Sequence, residues 1–135
     1  MKKSIPFEVF GPNQFIYFDI LRLAELERAL GKSVNEILQR QDVGINFCLT
    51  ALPIGLKHHY HKPTPALFAE KIEEHLAKEA ASLDDIATPI AKAILASGVF
   101  GKEIADRAMG VDEELAEEDE EAESKNVEKE TGTKE

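Results

Sequence analysis

The last 25 residues carry nearly all of the net charge of this chain. The 135-residue sequence has a net charge of −10. Residues 111–135 hold twelve acidic side chains against three lysines, a net −9, whereas residues 1–110 hold thirteen basic and fourteen acidic side chains, a net −1. The acidic segment has no aromatic residue, so it cannot bury enough apolar surface to offset the entropy of ordering its backbone. We therefore predict one folded domain at 1–110 and a disordered acidic tail at 111–135.

Composition also narrows the cellular context. Cys48 is the single cysteine, so no intrachain disulfide can form. The opening MKKS is basic, but Pro6, Gly11 and Pro12 interrupt any apolar stretch that could follow it in a signal peptide. No apolar run approaches the length of a membrane span, and an acidic protein repels nucleic acids and anionic membranes. We expect a cytoplasmic protein that binds neither nucleic acid nor membrane.

The remaining patterns predict a mainly α domain with a β-hairpin at its N-terminus. The turn sequence Gly11-Pro12-Asn13 is flanked by aromatic and β-branched residues, Phe7 and Val9 before it and residues 15–18 after it, which is typical of a hairpin with its first strand at Phe7 and Val9. Asp19, Ser33 and Thr64 each stand where an N-cap precedes helical periodicity. Ser82 and Asp85 open a last long helix, interrupted by Pro89, and residues 100–109 add one or two turns. The expected architecture is a small single-domain bundle of about five helices.

A third helix, starting near Asp42, is apolar on most of its circumference. Ile45, Cys48, Leu49 and Leu52 fall on one predicted face, and Phe47, Ala51 and Ile54 make the other side apolar as well. Pro53 and Gly55 are expected to end or kink this helix. A helix with so little polar surface is either central in the fold or partly covered by a partner.

The residues capable of chemistry have simpler structural interpretations. His58-His59-Tyr60-His61 offers three imidazoles, but adjacent histidines diverge and no nearby cysteine or aspartate completes a metal shell, so we expect an exposed loop. No GxSxG elbow or glycine-rich phosphate loop is present, and Cys48 lies in an apolar run. We predict no enzymatic activity, no cofactor and no metal.

The body resembles a known family. The run FDILRLAELERALGKSVNEILQRQD, followed by FCLTALPIGLKHHYHKPTPALFAEKIEEHLAKEAASLDDIATPIAKAIL, is similar to the tail assembly chaperones of long-tailed bacteriophages, prophages and gene-transfer particles. The resemblance covers about residues 7–100. Its features are the short β element, the helix pair LAELERALGKSVNEIL, the ALPIGLKHH helix end and the threonine-led helix that follows. Pro53 and Pro89 depart from the smoother helices expected of the family.

The resemblance implies a non-catalytic protein that acts during tail morphogenesis in the host cytoplasm and is absent from the mature virion. Such chaperones keep the tape measure protein soluble and recruit tail tube subunits, and many also exist in a frameshifted, C-terminally extended form. An amphipathic helix usually binds in an apolar groove. The candidate partner-binding residues that would line such a groove are Phe47, Ala51, Ile54 and Leu56. The alternative is that these side chains complete the core.

A second functional hypothesis rests on the acidic tail. A small helical adaptor or DNA-mimicking regulator would act mainly through residues 111–135, whereas a chaperone would use them only as a solubilising segment. A homo-oligomer is left open by the sequence.

Overall fold

The computed structural model describes residues 3–110, which form two short strands and six α-helices. The strands are β1 (Ile5–Pro6) and β2 (Phe15–Ile16); the helices are α1 (Ile20–Leu30), α2 (Val34–Gln39), α3 (Ile45–Gly55), α4 (Pro65–Leu76), α5 (Asp84–Ala96) and α6 (Lys102–Ala108). A 3₁₀ turn at Lys57–His59 follows α3. The mainly α fold with an N-terminal hairpin is confirmed. The predictions for the acidic tail fall on residues 111–135, outside the described part of the chain.

The hairpin is antiparallel, with Ile5 opposite Ile16 and Pro6 opposite Phe15. Its first strand lies before Phe7 instead of at Phe7 and Val9, where the aromatic pattern placed it. The Phe7 amide still donates to the Gln14 carbonyl at 2.8 Å, so pairing extends one residue toward the turn. Phe7 is buried in the core. This burial explains why an apolar residue stands at position 7 although it lies outside the strand.

Three helix starts follow from their predicted N-caps. Asp19 Oδ1 accepts from the Arg22 amide at 2.8 Å, Ser33 Oγ accepts from the Glu36 amide at 3.0 Å, and Thr64 Oγ1 accepts from the Leu67 amide at 3.2 Å. In each case a side-chain oxygen satisfies a first-turn N–H that has no partner within the helix.

The start and the buried face of α3 differ from the sequence-based prediction. Asp42 does not begin the helix, because its carboxylate pairs with Lys32 at 2.6 Å; α3 starts at Ile45, after Gly44, without a side-chain cap. Of the predicted Ile45 face, Cys48 and Leu52 are buried, but Ile45 is 64% exposed. The buried face is therefore rotated toward Phe47, Ala51 and Ile54.

Both interior prolines lie within helices that continue past them. Pro53 occupies the last turn of α3, which runs to Gly55, and Pro89 lies in the second turn of α5. A proline leaves the carbonyl four residues earlier without its helical partner. Here those carbonyls belong to Leu49, on the partly exposed side of α3, and to the exposed residue Asp85. Water can solvate them there, so neither helix has to end.

The core forms around α3, which packs against α1, α4 and α5. The hairpin packs against α5, and α6 packs against α5 as well. The largest fully buried side chains are Phe7, Phe18, Phe68, Ile16, Leu26, Ile37, Leu52, Leu56, Ile86, Ile90, Ile94 and Cys48. They come from both the hairpin and five of the six helices, so the described residues share one hydrophobic core.

Candidate functional site

The four residues predicted to bind a partner lie in the core. Ala51 and Leu56 are fully buried, and Phe47 and Ile54 are no more than 5% exposed. Packing of α3 against α1, α4 and α5 covers them. The structure therefore agrees with the alternative that these side chains complete the core, and a surface for a partner has to be sought on the opposite side of α3.

That opposite side carries an apolar ridge, defined here as Ile45, Leu49 and Pro53. The three residues follow one another at intervals of four, so they line one side of the helix. Ile45 is exposed, and Leu49 and Pro53 are partly exposed. A central helix with a solvent-facing apolar stripe is unusual, because polar residues normally occupy the outer face.

A concavity of about 280 Å³ opens at the N-terminal end of the apolar ridge. Apolar side chains from three different helices line it, namely Leu30, Ile37, Ile45 and Phe47. Lys32, Asp42, Gly44 and Asn46 complete the lining and make its exposed surface largely polar. Phe47 is the one predicted partner-binding residue that reaches this opening. The Lys32–Asp42 pair stands on the rim, where the Lys32 ammonium hydrogen-bonds the carboxylate and lowers the pKa of Asp42.

At the C-terminal end of the apolar ridge, α1 lies alongside. Lys57, just after α3, pairs with Glu25 of α1 at 2.9 Å. Leu21 lies one helical turn before Glu25 on the same side of α1 and is 80% exposed. Leu21 is therefore an exposed apolar side chain on the side of α1 that carries the Glu25–Lys57 pair.

The histidine segment has a structural role. In the 3₁₀ turn, His59 Nε2 accepts from the Phe15 amide at 3.0 Å, and His58 Nε2 donates to the Phe15 carbonyl at 3.0 Å. The Phe15 ring stacks on His58 with centroids 4.5 Å apart and meets His59 edge-on at 4.7 Å. His61 is exposed in the following loop. The His58 and His59 rings lie with their centroids 4.2 Å apart and both contact Phe15 of β2, so the prediction that adjacent histidines diverge is wrong for this pair.

The remaining reactive groups have no site around them. Cys48 is fully buried, and burial raises the pKa of its thiol to about 11, with the Asp84 charge adding to the effect. His75 Nε2 contacts Asp85 Oδ2 at 2.9 Å, while its Nδ1 is buried without a hydrogen-bond partner. Within residues 3–110 no group of three histidine, cysteine or carboxylate side chains is placed to hold a metal ion.

Sequence reasoning missed the ridge and its concavity. The i, i+4, i+8 spacing of Ile45, Leu49 and Pro53 was readable, but α3 is apolar almost all round, so periodicity could not indicate which side the core would take. The concavity depends on the approach of α1 and α2 to the start of α3, which no local pattern encodes.

No protein-family model matches this chain, and neither curated proteins nor solved structures gave a significant match. The resemblance to tail assembly chaperones therefore stays a prediction. Over residues 3–110, no helix is both long and apolar enough to cross a membrane.

Proposed function

We propose that this protein is a non-catalytic tail assembly chaperone that binds an amphipathic helix of a tape measure protein along the apolar ridge of α3. In this function the chaperone covers apolar stripes of a long helical chain that would otherwise aggregate. Recruitment of tail tube subunits during morphogenesis belongs to the same proposal, on the strength of the family resemblance alone.

The observation that carries the proposal is the apolar ridge of α3 with the concavity at its end. Residues spaced by four along α3 match the i, i+4, i+8 stripe of a partner helix, which is the usual pattern of helix-in-groove recognition. At about 280 Å³ the concavity is slightly smaller than the roughly 300–1,000 Å³ of most small-molecule pockets, and it suits one anchoring side chain better than a ligand.

Charge supports the same assignment. Residues 1–110 carry a net charge of only −1, so the body neither repels nor selects a partner by long-range electrostatics. Ion pairs flank the ridge at both ends, Lys32–Asp42 and Glu25–Lys57. Because these four charges are already paired, apolar contact is left as the main source of affinity.

Co-expression with a tape measure protein of a long-tailed phage tests the proposal. Ile45→Glu places a charge on the exposed ridge without touching the core, so the variant folds but loses the partner. Ile104→Glu is the matched control, because Ile104 is an exposed apolar residue of α6. We expect the wild type and I104E to keep the tape measure protein soluble and co-purify with it, and I45E to lose at least about tenfold in affinity. Equal binding by I45E and I104E would remove the ridge from the interface.

Deletion of residues 111–135 separates the chaperone from the adaptor or DNA-mimic hypothesis, which the −9 charge of that segment motivates. A chaperone acting through α3 retains the tape measure protein after the deletion. A regulator that acts through its acidic segment loses its partner after the deletion. Such a regulator would also not bind a tape measure protein as the full-length chain.

A further inference from the structure

The outer edge of β2 is bound by the end of α3 and the 3₁₀ turn instead of a third strand. The Phe15 amide and carbonyl are both taken by the adjacent histidines, and the Tyr17 amide donates to the Gly55 carbonyl at 3.0 Å. Unpaired backbone groups on a strand edge are costly when buried and invite pairing with other chains when exposed. His58 and His59 thus do for Phe15 what a neighbouring strand would do.

These hydrogen bonds require both imidazoles to be neutral. His59 Nε2 accepts from an N–H, so it carries no proton and the proton of the neutral ring is on Nδ1. His58 Nε2 faces a carbonyl and must carry its proton. His58 Nδ1 lies 3.0 Å from Arg22 Nη1, which can only donate, so this nitrogen must be bare. A second proton on either ring therefore meets a donor instead of an acceptor.

The charged groups around His58 and His59 do not stabilise a second proton on either ring. Arg22 of α1 touches His58, and its guanidinium also lies over the Tyr17 ring at 5.0 Å. Lys57 of the same 3₁₀ turn is neutralised by Glu25 of α1. Within residues 3–110 no carboxylate is hydrogen-bonded to either imidazole, so no group stands ready to stabilise an imidazolium.

We propose that His58 and His59 form a proton-sensitive latch that holds β2 to the 3₁₀ turn at neutral pH. A second proton on His59 Nε2 displaces the Phe15 amide, whereas one on His58 Nδ1 faces the Arg22 guanidinium and leaves the bond to the Phe15 carbonyl in place. Protonation of His59 breaks its bond to the Phe15 amide and leaves the His58 bond to the Phe15 carbonyl as the remaining link of this turn to Phe15. The Phe15 amide on the outer edge of the hairpin then loses its acceptor. This inference is independent of the proposed function, because it concerns the hairpin and not the apolar ridge.

The sign of the pH effect follows from linkage. Burial lowers the pKa of His58 most, and the neighbouring His59 lowers it further. The hydrogen bond to the Phe15 carbonyl opposes them, and Arg22 adds the smallest lowering. The unfolded histidine has its ordinary pKa of about 6.5. A depressed pKa in the folded state means that His58 contributes its full stability above about pH 6.5 and that this stability is lost as the pH falls below that value. The lowered pKa of His58 can change the folding equilibrium constant by at most about 30-fold between pH 7.5 and 5.0.

The tautomers provide a test that needs no variant. Long-range ¹H–¹⁵N spectra of the full chain at pH 7.5 distinguish Nε2–H from Nδ1–H rings. We expect His58 as the neutral Nε2–H tautomer and His59 as the neutral Nδ1–H tautomer, with the exposed His61 as an internal reference for an unconstrained ring. A charged ring or the opposite tautomer at either position would overturn the latch.

Amide exchange tests the release of the Phe15 amide. The protection factor of the Phe15 amide, corrected for intrinsic exchange, should fall at least tenfold between pH 7.5 and 5.0 relative to core amides of α3. The double variant His58→Gln/His59→Gln keeps a donor and an acceptor that do not titrate, so its Phe15 protection should be independent of pH. His61→Gln is the control and should behave as the wild type. Constant protection in the wild type, or the same loss in the double variant, would refute the proposal.

Discussion

At the residue scale, Gly55 marks the closest approach of the hairpin to α3. A Cβ at this position would lie 2.9 Å from Ile16 Cγ2 and 3.0 Å from Phe18 Cζ. Both neighbours are fully buried and cannot move aside. We expect Gly55→Ala to lower the free energy of unfolding by about 1–3 kcal/mol through overpacking. Urea denaturation measures this, with Gly11→Ala as the control because its Cβ meets only the flexible end of Gln14; equal effects of the two changes would contradict the packing.

The reactivity of the Cys48 thiol gives a second prediction at the residue scale. A rise of its pKa from 9.0 to about 11 leaves about 100-fold less thiolate at neutral pH, and burial blocks access as well. A disulfide reagent such as DTNB should therefore leave the native protein unmodified for hours at pH 7.5 and titrate one thiol at once in urea. Rapid modification of the native chain would mean that α3 opens locally.

At the element scale, local signals predicted most of the helices. Asp19, Ser33 and Thr64 were readable as N-caps because capping depends only on residues three positions apart. The prediction that α3 begins near Asp42 was wrong, because the Asp42 carboxylate pairs with Lys32, ten residues earlier, instead of capping the helix. The Phe15 contacts of His58 and His59 were not readable, since they join residues more than 40 positions apart and depend on where α3 ends relative to the hairpin.

The cap of α1 gives a direct test at this scale. Asp19→Ala removes the acceptor for the Arg22 amide and should lower the free energy of unfolding by about 1 kcal/mol. Asp19→Asn retains a side-chain oxygen and should cost much less. Chemical denaturation at pH 7 compares the two. If the alanine and asparagine variants are equally stable, the cap does not stabilise α1 as described.

At the scale of the whole molecule, the charge division of the sequence predicts that the body is self-sufficient. Residues 3–110 form a hydrophobic core among themselves, and residues 111–135 add a net −9. We expect a chain ending at Gly110 to unfold cooperatively, with a free energy of unfolding within about 0.5 kcal/mol of the full chain at physiological ionic strength. A large loss of stability would place part of the folding unit beyond residue 110.

The central claim is that the apolar ridge of α3 is the surface that meets a helical partner. Site-specific photo-crosslinking tests it most directly, with a photoreactive residue placed at Ile45 or, as the control, at Ile104, in cells that also express a tape measure protein of a long-tailed phage. We predict a crosslinked complex from position 45 and none from position 104. Crosslinking from position 104 without crosslinking from position 45 would contradict the account.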